Sequence, residues 1–149
     1  MTESQATRTV RTPWHLWVIG VIAVLWNAIG AFDYVMTETK NAAYMSGFPP
    51  EQLAWFYGLP MWVIAAWAIA VWGGVLGSVL LLLRRRLAVP VFLVSLAGLV
   101  ITTFHNYVLS NGLEIFPDTF SRVFTAVIFA IAVALFFYAR AMRERGVLR

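Results

Sequence analysis

The sequence predicts an all-α integral membrane chain: a bundle of four transmembrane helices, with a short interfacial helix in the first outer loop. Three observations carry this. Apolar residues make up 61% of the 149 and charged residues only 12%, against about 45–50% and about 25% in soluble domains. The apolar residues fall into four runs long enough for a hydrocarbon core that needs about 20 residues of helix. The basic residues cluster at the ends of those runs. The runs are continuous rather than alternating, which excludes the strands of a membrane β-barrel.

Span one is expected over residues 14–36. Its apolar run of about 23 residues exceeds the ~7–15 of a secretory signal core, and no small-x-small cleavage pattern follows, so it reads as a retained span. The first outer loop then runs to Leu59. Its second half is Pro49-Pro50-Glu51-Gln52-Leu53-Ala54-Trp55-Phe56-Tyr57-Gly58. Proline at a helix start, an acid in the first turn and glycine at the end are helix punctuation. The aromatic side chains suit a headgroup region, having one apolar and one wet side. Span two is expected over 60–83. A tight Arg84-Arg85-Arg86 turn makes it an antiparallel neighbour of span three, over 87–109. A short second outer loop leads to span four, over 120–139, with Asp118 or Thr119 placed to cap it. The whole chain, 1–149, reads as one membrane domain, with 1–13 and 140–149 as tails.

Charge sets the direction. Arg8, Arg11, Arg84, Arg85, Arg86, Arg140, Arg143, Arg145 and Arg149 fall on one side, and Lys40 and Arg122 on the other. The positive-inside rule puts both termini and the arginine turn in the cytoplasm. A formal charge of +4 dispersed in this way does not suggest nucleic acid.

Lipid removes the hydrophobic drive between helices, so rows of small residues must let backbones approach. Span one carries Gly20, Ala23, Asn27 and Gly30; span two Ala66, Ala70, Gly74 and Ser78, with Gly73 and Gly77 beside them. Span three carries Ser95, Gly98, Thr102 and Asn106, and span four Ala126, Ala130 and Ala134 in line with Arg122. These rows predict a compact left-handed bundle. The same small-xxx-small rows also serve homo-oligomers and contacts with a partner membrane protein.

Ionisable groups inside spans are costly and mark candidate sites. Asp33, His105, Asn106 and Arg122 fall at one depth near the outer ends of their spans, with Asn27 and Thr102 deeper. Two readings follow. In one, these six line an outward-facing pocket, with Asn27 and Thr102 as its floor. In the other, Arg122 pairs with Asp33 or Glu114, and the asparagines bond between helices. No cofactor is expected. His15 and His105 lie roughly 20–25 Å apart along the membrane normal, at 1.5 Å of rise per residue, too far for one haem iron. The Glu-x-x-His pattern of di-metal bundles is absent. The chain has no cysteine, which removes thiolate chemistry. An enzyme is not expected either, since only Asp33 and His105 come near each other and Ser110 is the sole hydroxyl close by.

The residues Trp26-Asn27-x-x-Gly30-Ala31-x-Asp33-Tyr34, Tyr57-Gly58-x-Pro60, Trp72-Gly73-Gly74-x-x-Gly77-Ser78 and Arg84-Arg85-Arg86 resemble a family of small, largely uncharacterised bacterial four-helix inner-membrane proteins, some of which carry a sugar-transporter label. The resemblance covers about the first two-thirds of the chain. It implies location in the cell inner (plasma) membrane and transport of a sugar-like solute, as a permease or permease component. The alternative is a non-enzymatic structural or accessory protein that packs against a partner.

Overall fold

The computed structural model describes residues 10–149, so Arg8 and most of the first tail lie outside the described residues. Helix makes up 79% of them, and none is in a strand. The elements are α1 (Trp14–Glu38), α2 (Ala42–Met45), α3 (Pro50–Tyr57), α4 (Met61–Leu82), α5 (Ala88–Phe104), α6 (Gly112–Ile115) and α7 (Thr119–Glu144), with a π-helical turn over His105–Leu109 prolonging α5. Four helices are long and apolar enough to cross a membrane: α1, α4, α5 with its π turn, and α7.

Local chemistry sets their ends. Pro13, Pro49 and Pro60 sit in extended backbone just before α1, α3 and α4, where a residue without an N–H costs nothing. Asp118 caps α7 by accepting from the Ser121 backbone N–H at 3.0 Å. The Ser121 bonds hold the Asp118 carboxyl below its ordinary range. α2 lies in what the sequence presents as loop, and is started by Asn41, whose side chain accepts from the Tyr44 N–H. α4 ends where Arg84 turns into the left-handed region at φ 57°, with Arg85 N–H donating back to the Leu80 carbonyl at 2.9 Å.

α7 runs past the expected boundary at 139 because Ala-Arg-Ala-Met-Arg-Glu contains good helix formers and no breaker. Nor are residues 140–149 a free tail. Gly146 turns the chain at φ 76°, and Val147 and Leu148 are buried beneath the arginine turn. Arg86 N–H donates to the Arg149 carbonyl at 2.9 Å, and Arg149 N–H to the Arg84 carbonyl at 2.7 Å. Leu16, Leu81, Val89, Phe92, Leu135, Met142, Val147 and Leu148 form one dry core at this arginine end.

Packing away from that core is uneven. α4 lies between α1 and α5, and small residues bring the three backbones close. A Cβ on Gly98 would stand 2.7 Å from the Ala66 carbonyl oxygen, one on Gly73 2.9 Å from Ser95, and one on Gly77 2.7 Å from the Phe92 ring. On the α1 side, Gly20 meets Leu82 and Gly74 meets Asn27. α7 stands further off. Its alanine row, Ala126, Ala130 and Ala134, is exposed, and the face turned inward is Thr125, Ile128, Ala132, Leu135, Ala139 and Met142. This corrects the expected rotation of span four. Alanines hold helices together only where backbones touch; across a wider gap, longer side chains must reach. α1 and α7 accordingly meet through large groups. His15 Nδ1 lies 2.5 Å from the Tyr138 hydroxyl, and the Trp26 and Phe124 rings are 5.9 Å apart.

A cavity at the loop end of the bundle

The gap left by α7 is a cavity of about 430 Å³ between α1, α4, α5 and α7. That is within the ~300–1,000 Å³ of small-molecule pockets. Leu135 and Ile131 close it towards the arginine end. Asp33 and Tyr44 stand at the loop end, and Trp26, Trp67 and Phe124 bring aromatic side chains to its wall. Tyr34 packs edge-on against Trp67, with ring centroids 4.9 Å apart.

Asn27, Asp33, Thr102 and Asn106 all line this cavity, joined by Ser95, Thr103 and Thr125. Several of these groups are committed within the chain. Asn27 Nδ2 donates to the Ala23 carbonyl at 2.8 Å and to Ser78 Oγ at 3.1 Å. Ser95 Oγ donates to the Ala70 carbonyl at 2.6 Å. Thr102 Oγ1 donates to the Gly98 carbonyl at 2.8 Å. Thr125 Oγ1 lies 2.9 Å from the Tyr107 hydroxyl, tying the π turn to α7. Others keep capacity to spare. The Tyr44 hydroxyl donates to Asp33 Oδ1 at 2.5 Å, which leaves Oδ2 open. Asn106 uses Oδ1 towards His105 Nδ1 at 3.2 Å, which leaves its amide protons. Burial first, and then the bond to Asp33, push the Tyr44 phenol up to about 12, so Tyr44 keeps its proton and acts as donor.

His105 and Arg122 are not in the cavity. His105 is buried on the α4 side, where Trp62 meets it edge-on at 5.4 Å. Successive helical residues are about 100° apart, so when Thr102 and Asn106 share the cavity face, His105 is rotated away from it. Arg122 belongs to the exposed alanine row and is itself exposed, beside a shallow depression with Tyr107, Leu113 and Phe129. The pairing of Arg122 with Asp33 or Glu114 is also absent. Arg140–Glu144 at 3.3 Å, an i,i+4 pair on α7, is the one ion pair among the described residues.

The sequence reading missed Tyr44, Trp26, Trp67 and Thr125. Tyr44 was hidden in a loop, and its signal is the Asn41 cap that turns the loop into helix. Thr125 lies three residues from Arg122, on the neighbouring stripe of α7. The outer connections are joined by aromatic side chains: Phe48, between α2 and α3, meets Phe56 at 5.5 Å, and Phe116, just after α6, meets Trp55 at 5.4 Å. Trp55 Nε1 also donates to Ser110 Oγ at 2.8 Å.

Replacing Asn27 by leucine removes both bonds that join α1 internally and to α4. The expected result is a loss of about 1 kcal/mol, the scale of interhelical bonds in membranes, read by reversible unfolding in detergent. A variant more stable than the parent would show that the amide is not a packing device. No family model, no curated protein and no solved structure matches this chain.

Proposed function

We propose that this chain is a multi-pass inner-membrane protein that holds a small polar solute in the loop-end cavity, as a permease or a component of one. Its termini and the arginine turn face the cytoplasm, and α3 lies in the opposite interface. The observation that carries the reading is the contrast between the two ends of the bundle. The arginine end is filled by apolar side chains. The loop end keeps about 430 Å³ in whose largely apolar wall Asn27, Asp33, Thr102, Thr103, Asn106 and Thr125 supply the polar groups. An ionisable group such as Asp33 in the wall of a largely apolar cavity, among helices whose outward faces carry Ile22, Leu25, Leu93, Val94, Val123 and Phe137, marks a candidate site. Hydrogen-bonding groups beside aromatic walls suit a small polar solute about the size of the sugar that the resemblance noted above implies.

The test is flux. Purified chain, folded by circular dichroism, is reconstituted in vesicles and challenged with labelled neutral sugars, polyols and amines. Saturable uptake of one class is the expected result; no flux of any of them removes the permease reading. The second reading, a non-enzymatic accessory protein, is favoured by the exposed Ala126, Ala130 and Ala134 row on α7. It gains ground if flux is absent and a bulky substitution at Ala130 disrupts association with a partner membrane protein or a second copy.

A further inference from the structure

We propose that the solute taken by this cavity is a small organic cation, a quaternary ammonium or a protonated amine, with the Asp33 carboxylate as its counter-charge. The inference rests on the cavity being a solute site and adds the ligand's charge. Asp33 is the one charged side chain in the cavity wall, and it has no ion-pair partner among the described residues. The basic groups near the loop end are engaged elsewhere: Lys40 Nζ lies over the Tyr57 ring, 4.8 Å from its centroid, and Arg122 is on the outward face of α7.

One hydrogen bond from Tyr44 orients the carboxylate without neutralising it. A charge taken partly out of water needs a counter-charge more than it needs one donor. The rest of the wall fits a cation too. Trp26, Trp67, Tyr44 and Phe124 line the same space, and aromatic rings attract ammonium groups through their negative faces. An anion would meet Asp33 with like charge. A metal ion would find a single carboxylate, and no cluster of three His, Asp or Glu exists among the described residues.

The test uses the intact chain in detergent or nanodiscs, with tryptophan fluorescence as readout, because Trp26 and Trp67 lie in the wall. The probes are choline and 3,3-dimethylbutan-1-ol, which has choline's shape without its charge, together with glucose and glycerol. Choline is expected to bind saturably, its neutral isostere roughly tenfold or more weakly, and Asp33→Asn is expected to weaken choline by a similar factor. Equal binding of choline and the isostere, or unchanged choline affinity in Asp33→Asn, overturns the proposal. Should Asp33→Asn fail to fold, the comparison of the two probes on the parent chain decides alone. Glucose or glycerol binding without choline binding sinks the cation and leaves the solute site standing. Binding of no probe at all removes both.

Discussion

Substituting Gly98 by valine is expected to cost the bundle about 3 kcal/mol, the upper part of the usual range for forcing volume into a packed site. Gly98 is where α5 comes nearest to α4. A Cβ there would stand 2.7 Å from the Ala66 carbonyl oxygen, 3.0 Å from the Ala70 amide nitrogen and 3.2 Å from Ile69 Cγ2. The first two are backbone atoms of a helix and cannot rotate aside, so relief requires moving one whole helix. That movement also stretches the Ser95 Oγ bond to the Ala70 carbonyl, 2.6 Å long and one turn below. Gly30→Ala is the control. Its added Cβ would meet only Val71 Cγ1, at 3.6 Å, which is ordinary contact. Alanine is the better helix former by roughly 0.5–1 kcal/mol, so this variant should be neutral or slightly stabilised. Thermal unfolding in detergent compares the two. If Gly98→Val melts with Gly30→Ala, α4 and α5 do not meet as described.

The long helices were legible because hydropathy and charge are summed over twenty residues, and no single neighbour can overturn the sum. Their rotation is a finer quantity. For α1, α4 and α5 the small residues mark the contact faces, since Gly20, Gly73, Gly74, Gly77 and Gly98 each take a close neighbour. On α7 the same rule points the wrong way. Whether alanines touch anything depends on how near the helix comes, and that depends on how far Trp26, Tyr138 and Leu135 hold it off. A row on α7 cannot report the size of side chains on α1. Arg122 was misplaced with that row. His105 and Asn106 are adjacent in sequence and at the same depth, so depth alone could not tell which faces the cavity. Asn27, Asp33 and Thr102 were legible because a polar group inside an apolar run has few places to go. The fold-back of Val147 and Leu148 was invisible for the opposite reason: two apolar residues after a glycine are too short a signal to separate from a frayed helix end.

Filling the cavity tests its use without touching the helix contacts. Leu99 lies on α5, in the cavity wall, about 100° round the helix from Val100, which is 49% exposed. In Leu99→Trp the larger indole ring has open space to enter, so the backbones need not shift and the dry core at the arginine end is undisturbed. The expected result is a chain that folds and melts like the parent but binds and takes up its solute more weakly, since the added ring takes part of the about 430 Å³ and changes the wall that a solute would touch. Val100→Trp adds the same ring to the outer face and should leave uptake unchanged. The Asp33 and Tyr44 groups remain in both variants, so a loss confined to Leu99→Trp reports on space rather than on charge. Uptake into vesicles and the melting temperature are measured side by side. Full uptake in a correctly folded Leu99→Trp chain would mean that the solute travels another way, and the polar wall around Asn27 and Asn106 would then be a device for joining helices.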